Sequence, residues 1–422
     1  MSAQGWVITL SILAILMLVE RFFAIRKNIK TYDLADFMVN LSCGILERVF
    51  AFFWYFVFFI AAQWVFDNVS ISWHIPSNAF TWVLAVVAAD FAAYWHHRLS
   101  HEINFLWAAH IVHHQSEDIN ISTVFRVSFF AVFNRSFFFI WLPVMGFSPE
   151  MSLFGIMFVG AFQFVTHSRV VGKLGFLENI FSTPSNHRVH HARNEKYIDH
   201  NYGHVLILWD KIFKTYTPEE EEPEYGITTG FESDDAYNAH FFYWKDMFKR
   251  AKLASSFKDK VKIFFAKPQW TPADVGYLPN QYKTDKNGNR LQHQTPMSKE
   301  FGAYMLINNI FTLGLFVAMF ALVPDYKDIS TSLLFANREL MILVGVIFFS
   351  VWTHGRFLDN KAGSRILDSI RLILVAVFIP LVFESVAFEG FNLVVWAFSA
   401  AMLAWLWLGN KITHIPSPAQ LA

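Results

Sequence analysis

The residues best suited to chemistry are histidines, and they recur at short intervals: His97 and His101, then His110, His113 and His114, then His187, His190 and His191. Of 17 histidines in the chain, 12 fall between positions 96 and 204, a density that scattered core residues would not produce. Residues three and four apart on a helix share a face, so each set points its imidazoles one way. Neutral imidazole is a ligand for zinc, copper, iron and nickel. These imidazoles exceed the roughly four ligands of one tetrahedral zinc, which makes two metal ions the economical reading. One pair alone could be a helix surface that happens to carry two histidines; three sets with related spacing argue for a metal centre.

Reading backwards from His97, Asp90 and Tyr94 fall on the same helical stripe as His97 and His101. A carboxylate inside an apolar helix is costly. Its natural partner is the second nitrogen of a metal-bound imidazole, with a structural hydrogen bond to a neighbouring helix as the alternative. His96 points about 100° away from His97 and is not expected to be a ligand. Glu102 either forms a surface ion pair with Arg98 or accepts a hydrogen bond at the edge of the site. His167 stands alone where the chain returns to polar sequence, and the spacing leaves its role as a ligand open. His200 and His204 carry less weight; His74, His240, His293, His354 and His414 are isolated and receive no role.

The composition says what must hold these residues. Of 422 residues 54% are hydrophobic and only 16% charged, with 48 Phe and 15 Trp, whereas soluble domains carry roughly 25% charged residues. The expected fold is therefore an all-α membrane protein. A formal net charge of zero gives no sign of a nucleic-acid partner. The lone cysteine, Cys43, excludes an internal disulfide and a self-contained cysteine-ligated iron–sulfur cluster.

Apolar runs cover residues 6–19, 49–66 and 81–95, the last leading straight into the first histidines. The first run lacks a basic leader and a small-residue cleavage site, and is expected to be a retained anchor. Residues 129–147 and 151–165 form a hydrophobic hairpin. Arg135 inside it is expensive unless paired, which favours a re-entrant hairpin over a spanning one. Residues 166–301 turn polar, with an acidic run at 219–222 that reads as a solvated loop. An aromatic and basic stretch at 240–252 suits either an interfacial helix or one packed on the soluble face. Four further apolar runs follow at 304–323, 340–352, 370–388 and 391–408.

The positive-inside rule puts Arg26 to Lys30, all the histidine sets, Arg356 to Arg365 and Lys411 on the cytoplasmic side, with the 67–78 loop and the Gly146 turn outside. The expected architecture is a multi-span helical bundle with a cytosolic helical cap, at about 166–302, carrying histidine clusters. Residues 1–302 would form the catalytic domain and 303–422 a C-terminal four-helix transmembrane region.

Taken together, Asp90, Tyr94-Trp95, His97 to His101-Glu102, His110, His113-His114, Asn186-His187 to His191, Asn201-Tyr202-Gly203 and Trp209-Asp210 resemble the fatty acid hydroxylase superfamily, the membrane di-iron enzymes also called the sterol desaturase family. Within it, Trp107, Ser116-Glu117-Asp118, Asn120, Ser122-Thr123, Arg126, Thr183-Pro184-Ser185, Arg193-Asn194 and Ile198-Asp199 most resemble the alkylglycerol monooxygenase branch. The resemblance covers roughly residues 35–280. It implies two irons that use dioxygen to hydroxylate a membrane lipid, such as the ether-linked carbon of an alkylglycerol. It also implies His97, His101, His110, His113, His114, His187, His190 and His191 as ligands, with Glu102 at a position that matters in the ether-lipid enzymes. Some members carry a further His-x-x-x-His pair, whereas here His167 is followed four residues on by Val171.

No strand–GxGxxG–helix signature offers a flavin or nicotinamide site, so reducing equivalents are expected from outside. The resemblance implies a tetrahydropterin, cytochrome b5 or a ferredoxin system. Sterol, fatty acyl and aminolipid substrates, hydroxylation or desaturation, remain alternatives within the family, and an oligomer is compatible with the sequence. A membrane metal carrier or haem protein is the competing class. Transporters place ionisable ligands near the bilayer midplane, whereas these clusters fall beyond the helix ends, and haem would call for isolated axial histidines.

Overall fold

The computed structural model describes residues 3–71, 73–276, 283–284, 290–293, 295–323, 337–385 and 388–409; Lys411 and His414 lie outside the described residues. Its described secondary structure is helical apart from isolated bridges such as Phe181 with Leu206 and Ala192 with Tyr225. Seven of the described helices are long and apolar enough to cross a membrane, and the chain is an integral membrane helical bundle with a cap.

The first three are α1 (Ala3–Arg26), α2 (Leu34–Asn68) and α3 (Ala79–Glu102). Asp33 starts α2 by accepting hydrogen bonds from the amides of Ala35 and Asp36. This helix begins well before the apolar run at 49–66, because its first half spends its polar residues on partners inside the protein. Asn40 donates to Ser122, Ser42 donates to Asn309, and Glu47 accepts from Arg135.

α3 breaks only at Ile103 before α4 (Asn104–His114). Asn104 fixes the corner: its side chain donates to Ile263 O at 2.6 Å and accepts from the Tyr243 hydroxyl at 2.6 Å. The hydrophobic hairpin consists of α5 (Ala131–Phe139), α6 (Trp141–Val144) and α7 (Pro149–Thr166). Its turn meets the loop between α2 and α3. The Val144 and Gly146 carbonyls accept from the amides of Ile71 and Ile75, in the loop that joins the far ends of α2 and α3. The cost of Arg135 is met by pairing, since its guanidinium donates to buried Glu47 at 2.5 Å. α7 lies close on α3: a Cβ at Gly155 would come within 2.8 Å of Ala89 Cβ and 2.9 Å of Ala85 O. Small residues on both sides let these two membrane helices approach.

Between α7 and the C-terminal helices, a cap of shorter helices covers the end of the bundle where α3 and α7 finish. It contains α8 (Pro184–His191), α9 (Leu208–Ile212), α10 (Ala236–Leu253) and α11 (Phe257–Phe265). The last four described helices are α12 (Lys299–Met319), α13 (Arg338–Leu358), α14 (Ser364–Val382) and α15 (Phe391–Leu408). They share one hydrophobic core with α2, α4 and α10, built on residues such as Met38, Ile111, Met247, Phe316, Ile347 and Leu372. α14 starts six residues ahead of the apolar run at 370–388, because Asp368 and Arg371 pair inside the bundle at 2.5 Å. The basic residues gather at the cap end: Lys27 donates to Val170 O, Arg169 to Lys30 O, and Ser233 ties the cap to Asp359 in the turn between α13 and α14.

Candidate metal centre

Nine histidines come together beneath the cap, in two groups. His97, His101, His110, His114 and His190 form one, and His113, His167, His187 and His191 the other; within each, one ring nitrogen per residue lies within 4.8 Å of all the rest. The sharing of helices is more particular than the spacing suggested. On α4 the i, i+4 pair His110 and His114 stays in the first group while His113 goes to the second. On α8 the pair His187 and His191 serves the second group and His190 crosses to the first. His167 caps the C-terminus of α7 and completes the second group.

Four of these rings are oriented by backbone carbonyls. His97 Nδ1 donates to Tyr202 O at 2.8 Å, His190 Nδ1 to His200 O at 3.0 Å, His167 Nδ1 to Gln163 O at 2.8 Å, and His113 Nδ1 to Arg126 O at 3.3 Å. A carbonyl only accepts, so each Nδ1 carries the proton and each Nε2 presents a lone pair. Those Nε2 atoms face other imidazole Nε2 atoms. His113 and His167 are 3.1 Å apart, His167 and His187 3.0 Å, His97 and His110 3.1 Å, and His114 and His190 3.2 Å. Lone pairs at 3.1 Å, as between His113 and His167, repel unless a cation lies between them. Two nitrogens about 2.1 Å from one ion are roughly 3.0 Å apart at a right angle and roughly 3.4 Å apart at the tetrahedral angle, so the donor set fits a shared metal ion.

Electrostatics favours the same state. Burial, with mutual repulsion added, holds His110, His113, His114, His187, His190 and His191 well below the usual imidazole range. Burial lowers His167 to about 4. Neutral rings are the ones that ligate. His101 Nε2 is buried without a hydrogen-bond partner, as a ligand nitrogen would be before a metal is counted.

Asp90 does not meet an imidazole. Its carboxylate accepts from the amides of Val205 and Leu206 at 2.8 and 3.1 Å and from Trp209 Nε1 at 2.9 Å. It stands two helical turns from His97, about 10 Å along the axis, so a shared stripe does not bring them into contact. The Tyr94 hydroxyl likewise goes to Thr215 at 3.0 Å. Both residues brace the 202–215 segment, which Asp210 closes by accepting from the amides of Tyr202 and Gly203 and from the Thr215 hydroxyl. That segment carries the carbonyl that orients His97. Glu102 forms the surface ion pair with Arg98, at 3.0 Å. The carboxylate near an imidazole is Asp199 instead, 3.4 Å from His101 Nδ1. Its backbone is left-handed, φ 61°, as is that of Asn201 at φ 58°. Asn201 holds the turn with side-chain hydrogen bonds to Asn186 O, Thr217 O and Thr217 N. His96 and His204 belong to neither group. His96 packs on Phe138, and the His204 ring lies 4.8 Å from that of His97.

The histidines form a partition between two cavities. One, of about 120 Å³, is lined by His97, His110, His113, His167 and His187 together with apolar Ala93, Val124, Phe139, Ile156, Val159 and Phe164 and polar Arg48, Ser128, Arg135 and Gln163 from the membrane helices and the hairpin. The other, of about 350 Å³, reaches His101, His114, His190 and His191 from the cap side through Trp107, Arg193, Asp199, Tyr243, Asp246 and Arg250. Both histidine groups therefore line both cavities, one on the side of the membrane helices and one on the side of the cap.

Residues 82–215, which include all nine histidines, match the family model described as Fatty acid hydroxylase. The chain is 29% identical to alkylglycerol monooxygenase of Danio rerio over 348 residues, 81% of this chain and 74% of that protein. It is 28% identical to alkylglycerol monooxygenase of Homo sapiens, again over 81% of this chain and 74% of the relative. Over 154 residues, 36% of this chain and 46% of the relative, it is 35% identical to the ornithine lipid hydroxylase OlsE of Rhizobium tropici. No solved structure matches the chain.

Proposed function

With a fatty acid hydroxylase domain at residues 82–215 the chain belongs to that family of lipid-hydroxylating monooxygenases, and we propose that it inserts oxygen beside the ether oxygen of a long-chain alkylglycerol, using two irons. The observation that carries this reading is the pair of imidazole groups facing one cavity that apolar side chains of the membrane helices and the hairpin also line. His97, His101, His110, His114 and His190 would hold one iron and His113, His167, His187 and His191 the other. Bound there, iron supplies the activation of dioxygen. The chain's own residues do the rest. Ala93, Val124, Ile156 and Val159 hold the hydrocarbon and exclude water, and the carbonyls of Tyr202, His200, Gln163 and Arg126 keep the ligand rings aimed. Asp90 and Tyr94 act at a distance, through the 202–215 segment, and Glu102 with Arg98 supports the end of α3. One oxygen atom enters the C–H bond; the other leaves as water, with two electrons and two protons from an external donor of tetrahydropterin, cytochrome b5 or ferredoxin type. The cap-side cavity, with Arg193, Asp199, Asp246 and Arg250 in its wall, is where such a donor would approach. In this reading residues 1–302 are the hydroxylase unit, and the helices of 303–422 complete the membrane bundle.

Incubation of the iron-loaded protein with an alkylglycerol, labelled dioxygen and a tetrahydropterin should release the fatty aldehyde, because the α-hydroxylated ether collapses. Oxidation of a sterol, an acyl chain or an ornithine lipid with no aldehyde would sink the ether-lipid assignment. The ornithine lipid is the second candidate because of the likeness to OlsE. Elemental analysis should find about two irons per chain; zinc without oxygen consumption would favour a carrier.

The active site is assigned to the cytoplasmic side, where reductant is available and where Lys27, Lys30, Arg356 and Lys361 gather with the cap. A cysteine placed at exposed Glu195 should be protected from an impermeant thiol reagent in intact cells, and one at exposed Asn68 should react. The reverse labelling pattern would overturn this orientation.

A further inference from the structure

Outside the metal centre, the surface that the proposed function leaves unexplained is the outer face of α11. Phe257, Val261 and Phe265 are spaced i, i+4, i+8 and form one stripe, and they are 80%, 43% and 66% exposed. The opposite side is accounted for by Ile263, which is fully buried; Phe264, beside the stripe, packs against Phe248 with ring centroids 5.4 Å apart. Lys258 and Lys262 flank the exposed stripe on one edge and Lys260 on the other. A soluble surface gains nothing from three large apolar groups in a row, whereas a helix lying in a lipid interface needs this stripe with lysines that snorkel at its borders.

The position of α11 says which surface it meets. Its last turn is tied to Asn104, which donates from its backbone to Ala266 O at 2.9 Å and from its side chain to Ile263 O at 2.6 Å. Asn104 follows directly on α3, a 24-residue helix. At 1.5 Å per residue α3 is about 36 Å long, against a hydrocarbon core of about 30 Å, so Asn104 stands at the level where the membrane ends. The apolar surface also continues from α11 to Phe248, 59% exposed, and to Phe105, 40% exposed and packed edge-on against Trp244.

We propose that α11 lies in the membrane plane with Phe257, Val261 and Phe265 inserted among acyl chains and Lys258 and Lys260 on anionic lipid headgroups. The segment that leaves α11 supplies Pro268, Gln269 and Thr271 to the cap-side cavity, so the lipid surface sets the position of one wall of that cavity. The proposal holds in either membrane orientation and does not depend on the substrate.

The test uses the full chain in nanodiscs, with an environment-sensitive fluorophore on V261C; native Cys43 is fully buried. Spin-labelled lipid should quench the label, and aqueous iodide should reach it far less than it reaches the same label at exposed Glu220. Replacing about a third of a neutral lipid by phosphatidylglycerol should raise the lipid quenching about twofold or more. About 1 M salt should remove that gain by screening, as should the K258Q/K260Q variant. Equal iodide access at both positions would overturn the proposal. So would protection from both quenchers together with a V261C disulfide between two chains, which would assign the face to a second copy. Lipid quenching indifferent to headgroup charge would overturn the role of the lysines.

Discussion

His113→Ala and His190→Ala are each expected to leave less than about a tenth of the wild-type activity, and His97→Ala likewise, while each protein still inserts in the membrane. The pair is informative because His113 and His190 sit in different groups although their helices serve both. Loss of His113 should lower the iron bound by the second group, leaving His167, His187 and His191. Loss of His190 should act on the first group. Both variants should fail in catalysis, because in the proposed reading dioxygen activation would need both histidine groups to hold their metal. His167→Ala should behave as His113→Ala does. His200→Ala is the control: its side chain bonds only to Ile198 O, and the carbonyl that orients His190 survives the substitution. Retention of more than about a tenth of the rate and of full iron content by a group variant would remove that residue from the ligand set.

The largest effect on stability should come from Asp368→Ala. Asp368 and Arg371 are fully buried among the C-terminal helices. Arg371 Nε donates to Asp368 at 2.5 Å, its Nη2 donates to Asn308 at 2.6 Å, and the Tyr304 hydroxyl donates to the same carboxylate. Removing the carboxylate strands a guanidinium in an apolar bundle, at a cost of about 3–5 kcal/mol. D368A/R371L removes both charges and should recover most of that loss. Equilibrium unfolding in mixed micelles would measure it. If the single variant unfolds with the wild type, or if the double variant is as weak as the single, the pair is not what holds these helices together.

The sequence by itself determined the chemistry. Imidazoles at i, i+3 and i+4 gather on helix faces whatever the fold, so three candidate metal-binding sets and the helical element type were legible from residue order. A composition so poor in charge required a membrane bundle, and Arg135, Asp90 and Glu102 could be marked as residues needing partners. Which partner each one took was not legible, because a local pattern records direction around a helix axis and not distance across the fold. Glu47 answers Arg135 only because α2 and α5 lie side by side, which lets the hairpin cross to the far end. Asp90 turned to the 205–209 backbone because two helical turns separate it from His97, and Asp199, on a left-handed loop residue, took the place beside His101. His167 had no neighbour to give it weight; it joins the second group because α7 returns to the level of α4 and α8. The division of histidines into five and four was likewise a tertiary decision. On α4 and α8 the i+3 residue is turned about 80° from the i, i+4 pair's common face, enough to serve a different ion once a second helix supplies the facing ligands.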